Sequence, residues 1–88
     1  MATPYNLTPD WTATNRFEAV TAGEILLSNT GGFDIRWTRT PDAAAPAPMP
    51  LQATILRPGE SRSLSLKAGE YLWLAARPQG SAIVEDFG

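Results

Sequence analysis

The chain has 88 residues, seven Lys or Arg against nine Asp or Glu, a formal charge of -2, and neither cysteine nor histidine. That length encloses one core rather than two, and the missing residue types exclude disulfides, thiolate chemistry, Cys-based metal sites and the usual general base of neutral-pH catalysis. The balanced charge has no basic stripe for a phosphate backbone, and no apolar run approaches the roughly 20 residues that span a bilayer, so neither nucleic acid nor membrane is an expected partner.

Residues 1–15 are polar and Pro-containing, with Tyr5 and Trp11 as isolated aromatics. They read as an N-terminal arm that orders on contact, or as a first edge strand. A charged stretch followed by an apolar one is missing there, so no secretory signal is expected. From Arg16 onward short period-2 segments alternate with turns, and Pro or Gly interrupts almost every helix-length window. A first strand is expected near Arg16–Val20, then Thr21-Ala22-Gly23-Glu24 turns the chain into a strand around Ile25, Leu26 and Leu27. Asn29-Thr30-Gly31-Gly32 marks a tight reversal, read as a hairpin turn. After it Phe33, Ile35 and Trp37 alternate with Asp34, Arg36 and Thr38, giving one apolar and one polar face.

Thr40–Pro50 breaks the rhythm, because its four prolines forbid a central strand. It reads as an extended, polyproline-like crossover between sheets, or as an arm that docks on a neighbouring subunit. Leu51, Ala53 and Ile55 then alternate with Gln52 and Thr54. Arg57-Pro58-Gly59-Glu60 has the type II arrangement, with Pro fixing φ and Gly supplying a positive one. Leu64 and Leu66 alternate with Ser61, Ser63 and Ser65. Lys67-Ala68-Gly69-Glu70 and Arg77-Pro78-Gln79-Gly80 bracket the run Tyr71–Ala76, and a last strand falls within Ser81–Phe87. About seven short strands spaced by turns predict an all-β domain over 16–88, a small antiparallel sandwich or barrel with a Pro/Ala-rich crossover loop.

Catalysis is not expected. Glu24, Glu60 and Glu70 each follow a turn glycine, where they would cap turn amides or keep strand edges soluble. Glu85 and Asp86 are adjacent and so point to opposite faces of a strand. The serines have no evident base, Lys67 included, and Asp34, Asp42 and Asp86 match no calcium-loop spacing. No cofactor or metal is expected.

The aromatics say more. Trp37, on one face with Phe33 and Ile35, reads as core. Tyr71 and Trp73 alternate with Leu72 and Leu74 in a strand that is apolar on both faces. Either that strand is central and covered on both sides, or Tyr71 and Trp73 form an exposed patch. An exposed pair favours a protein interface over stacking on a sugar ring. The candidate interface residues are therefore Tyr71, Trp73, Pro46, Pro48, Met49, Trp11 and Tyr5, with Arg36 and Arg39 available at the rim.

The runs Leu27-Ser28-Asn29-Thr30-Gly31-Gly32, Ile35-Arg36-Trp37-Thr38, Leu56-Arg57-Pro58-Gly59-Glu60 and Gly69-Glu70-Tyr71-Leu72-Trp73-Leu74-Ala75-Ala76-Arg77 together resemble a set of small β-sandwich virion proteins of tailed bacteriophages. The resemblance covers about residues 24 to 84. It implies a structural part of a virus particle, assembled in the host bacterial cytoplasm: a capsid decoration or cement protein that binds the major capsid protein, a head spike, or a tail or neck component. It implies no catalytic residues. A homo-oligomer, such as a trimer at a threefold position, would bury surface that so small a domain cannot bury alone. A carbohydrate-binding module is the rival expectation, with an exposed Trp beside Gln79 or Asp86.

Overall fold

The computed structural model describes residues 2–44 and 54–86. Among the described residues eight strands form two four-stranded sheets: β1 Ala2–Leu7, β2 Arg16–Glu18, β3 Gly23–Asn29, β4 Ile35–Thr40, β5 Thr54–Leu56, β6 Ser61–Leu66, β7 Tyr71–Ala76 and β8 Gly80–Asp86. One sheet has the order β1-β8-β3-β6, the other β2-β7-β4-β5, and every pairing is antiparallel. The expected sandwich is what the chain forms. The eighth strand, β1, is the edge-strand alternative for the N-terminal residues. Pro4 is tolerated there because an edge strand can spare one ladder amide.

The core lies between the sheets and follows the pleat. Ile25 and Leu27 of β3, Ile35 and Trp37 of β4, Leu64 and Leu66 of β6, Leu72 and Leu74 of β7, and Val84 of β8 all point inward. Tyr5 and Phe17 pack against its margin. The Trp37 ring lies under the Arg62 guanidinium, 5.5 Å from its centroid. Its Nε1 is buried with no partner among the described residues, a group that costs on the order of 1–3 kcal/mol when left unpaired.

Two strand expectations shift. Phe33 lies before β4 rather than in it and is exposed, so the inward row begins at Ile35. In β5 the phase is reversed: Leu56, paired with Ile35, is buried, and Ile55 faces outward. Both residues are apolar, so alternation alone could not select between them, and the pairing with β4 decides. Leu51 and Ala53 lie outside the described residues.

The connections differ most from expectation. β4 and β5 are neighbours within one sheet, so the Pro-rich segment joins adjacent strands and is not a crossover between sheets. The sheet-to-sheet passages are made instead by all the other connections, most of them short turns. The chain changes sheet at 8–15, 19–22, 30–34, 57–60, 67–70 and 77–79, so the Asn29-Thr30-Gly31-Gly32 reversal is not a hairpin. Turn chemistry fixes that the chain reverses; which sheet the next strand joins is settled by where its apolar face can be buried.

Two of these turns share one device. Gly59 and Gly69 have φ of 83° and 89°, which only glycine adopts without strain. In each turn the glutamate amide donates to the first carbonyl, Glu60 to Arg57 and Glu70 to Lys67, both at 3.0 Å. The same glutamate carboxylate accepts the Arg57 or Lys67 amide in return. The capping expected of Glu60 and Glu70 is therefore formed. Gly23 differs: it opens β3 with no left-handed φ, and Glu24 is an exposed strand residue.

Tyr5 gives the fold a measurable alkaline limit. Its hydroxyl donates to the Arg16 carbonyl at 3.3 Å, and burial raises the phenol above its ordinary pKa of 10.0. A raised acid favours the neutral form in the folded state, so its contribution is complete below about pH 10 and is lost as pH rises through the folded value. Thermal midpoints measured from pH 7 to 11 should fall for the parent chain, and Tyr5→Phe should show a shallower alkaline fall.

Candidate functional site

The outer face of the β2-β7-β4-β5 sheet follows from the register. Arg16 of β2 lies opposite Trp73, and Thr38 of β4 flanks Trp73 on the other side. Tyr71 sits between Glu18 and Thr40. Trp73 is not an exposed anchor: it is only 2% exposed. The Arg16 guanidinium lies over both rings, 4.6 Å from the Tyr71 centroid and 5.1 Å from that of Trp73, and donates to the Ala43 carbonyl at 3.0 Å. Trp73 Nε1 donates to Thr40 Oγ1 at 2.8 Å. The strand is thus apolar on both faces because it is covered on both: by the core inside, and outside by the Arg16 guanidinium, itself tied to the Ala43 carbonyl. Tyr71 is half-buried beneath the same arginine.

The other candidate interface residues separate. Tyr5 packs inward on the core margin, Trp11 is half-buried, and Pro46, Pro48 and Met49 lie outside the described residues. Arg39 is committed, its guanidinium donating to the Ser65 carbonyl at 2.9 Å. Arg36, half-buried, lines a cleft at the end of the sheet.

What the structure gathers instead is the end of the sandwich where β3 hands over to β4 and β7 to β8. Asn29, 3% exposed, organises it. Its Nδ2 donates to the Phe33 carbonyl at 2.8 Å and to the Leu56 carbonyl at 2.9 Å, while its Oδ1 accepts the Gly31 amide at 3.1 Å. One side chain of the first sheet thereby holds the 30–33 turn and the end of β5 in the second. Phe33, 44% exposed, is fixed through its backbone with its ring left outside.

Two clefts meet at Phe33 and Gly32. One, of about 340 Å³, is lined by Asn6, Gly31, Gln79, Gly80 and Ser81 and carries no charge. The other, of about 400 Å³, is lined by Asp34, Arg36 and Arg77. Ile55, 45% exposed, is the cross-strand neighbour of Arg36. Arg36 and Arg77 make no hydrogen bond or ion pair among the described residues, whereas Arg16 and Arg39 are both spent on the fold.

No family model, curated protein or solved structure matches the chain. The site is therefore defined by its own chemistry. Among the described residues there is no cluster of three or more His, Cys, Asp or Glu that could hold a metal ion. The arrangement offers two uncommitted guanidinium groups in one cleft, one of them beside an exposed aliphatic side chain, and an uncharged amide-lined cleft that adjoins it at Phe33. Neither Phe33 nor Ile55 stood out in the sequence, where both read as inward-facing. The available signal was Asn29, an amide at a strand end two residues before the first glycine of its turn.

Proposed function

We propose that this chain is a non-enzymatic structural protein of a tailed-phage particle that decorates the capsid and docks on the shell protein through Ile55, Arg36 and Arg77. The observation that carries this reading is the exposed Ile55 beside Arg36, with Arg36 and Arg77 sharing the adjoining cleft. An exposed apolar side chain next to an unpaired guanidinium fits a protein partner, with arginine the charged residue most enriched at such interfaces. On a chain of net charge -2 this local positive charge selects a partner surface that presents carboxylates beside an apolar contact. The virion setting rests on the resemblance of the turn and strand runs. Many copies on one shell make a modest interface sufficient, because identical contacts act together.

Two measurements test it. Quantitative mass spectrometry of density-purified particles should find the chain at a copy number comparable to the capsid protein. A few copies per particle would move it to a spike, neck or tail, and its absence from the particle band would sink the virion reading. On particles, Ile55→Asp and Arg36→Glu should each weaken binding by at least about tenfold, the loss expected on removing an anchor worth 1.4 kcal/mol or more, with thermal midpoints close to the parent's. Binding that survives both substitutions would move the interface elsewhere.

A further inference from the structure

We infer that the uncharged cleft beside Phe33 is a binding site for a neutral saccharide. It adjoins the cleft of Arg36 and Arg77 at Gly32 and Phe33 but contains neither arginine nor Ile55.

The lining chemistry is selective. Asn6 and Gln79 each bring a side-chain amide with donor and acceptor capacity, and Ser81 brings a hydroxyl. Asn6 and Gln79 are exposed, and neither side chain makes a hydrogen bond among the described residues. An anionic ligand would meet no cation in the lining. A purely apolar one would strip water from two amides and return no hydrogen bond. Hydroxyl groups can satisfy amides in both directions, and the C–H face of a sugar ring can lie on the exposed Phe33 ring. The volume, about 340 Å³, falls at the lower end of small-ligand sites, roughly 300–1,000 Å³, which suits a short saccharide.

The floor is built rather than incidental. A Cβ on Gly31 would stand 2.9 Å from the Ser81 amide nitrogen, and one on Gly80 would stand 2.7 Å from the Ala76 Cβ. Only glycine lets the 30–33 turn and the start of β8 approach so closely. Thr30 N donates to the Ser81 carbonyl at 3.1 Å, and Asn29 ties the Gly31 amide and the Phe33 carbonyl into the same unit. The backbone that carries Phe33 and Ser81 is thus held in place before any ligand arrives, which lowers the ordering cost of binding.

The test is a titration of the ¹⁵N-labelled chain with neutral oligosaccharides (gluco-, manno-, galacto- and N-acetylglucosamine series) and, in parallel, with oligogalacturonate as an acidic probe. The expected result is saturable shifts of the Gly31, Gly32, Gln79, Gly80 and Ser81 amides with at least one neutral series. Phe33→Ala and Gln79→Ala should each weaken that binding by about tenfold while leaving the thermal midpoint near the parent's. No saturable shift with any neutral series at about 10 mM would overturn the assignment. So would binding of the acidic probe alone, shifts confined to residues away from the cleft, or affinity unchanged by Phe33→Ala. Particle binding is not read in this experiment, so its outcome leaves the decoration proposal standing or falling separately.

Discussion

Replacing Asn29 with Leu is expected to destabilise the chain by about 3–5 kcal/mol, the combined effect of leaving buried partners unpaired at about 1–3 kcal/mol each. The Leu side chain is close to Asn in size but returns nothing to the Phe33 carbonyl, the Leu56 carbonyl or the Gly31 amide. A domain of this length has on the order of 4–13 kcal/mol in total at ~0.05–0.15 kcal/mol per residue, so the substitution approaches the threshold of folding. Asn29→Asp discriminates the cause. It keeps the acceptor for Gly31 but sets a carboxylate against two carbonyl oxygens, so it should be at least as damaging as Leu despite its closer shape. Urea midpoints at pH 7 for the three chains check this; an Asp variant as stable as the parent would contradict the assignment of the amide nitrogen.

Trp73→Ala should cost a similar amount, about 3–5 kcal/mol for a fully buried indole, and Trp73→Phe about 1 kcal/mol from the lost bond to Thr40 Oγ1. Arg16→Ala should expose the ring without removing it. The tryptophan fluorescence of that variant should become more accessible to acrylamide than the parent's. Equal quenching in both would mean that the guanidinium does not cover the ring.

Most of the fold was legible because it rests on local chemistry. Pro58 with Gly59, and Gly69 with its following Glu70, specify left-handed turn positions that few other residues satisfy. The alternation of Leu64 and Leu66 with serines leaves one inward face for β6. Legibility ended where a feature depends on distant residues. Tyr71 and Trp73 could have been exposed or covered, and what covers them is Arg16, on a strand far away in sequence. The phase of β5 depends on pairing with β4, and the exposure of Phe33 on Asn29 holding its carbonyl. Sheet membership was illegible for the same reason: a turn sequence encodes a reversal but carries no information about the partner strand.

The pairing of β1 with β8 sets Ala2 beside Glu85 and Leu7 beside Gly80. Five strand steps of ~3.4 Å, about 17 Å, separate these two levels. Asn6, Gly80 and Phe33 occupy the far level. The molecule therefore has a polarity along its strands. A tether, label or neighbouring polypeptide attached beside Ala2 or Asp86 would grip it at one pole, and both clefts would be presented at the other. The proximity of Ala2 to Glu85 also means that a short peptide could bridge these two neighbouring strands into a ring, with new ends opened between Ala44 and Thr54, at a point where no sheet-to-sheet turn is cut.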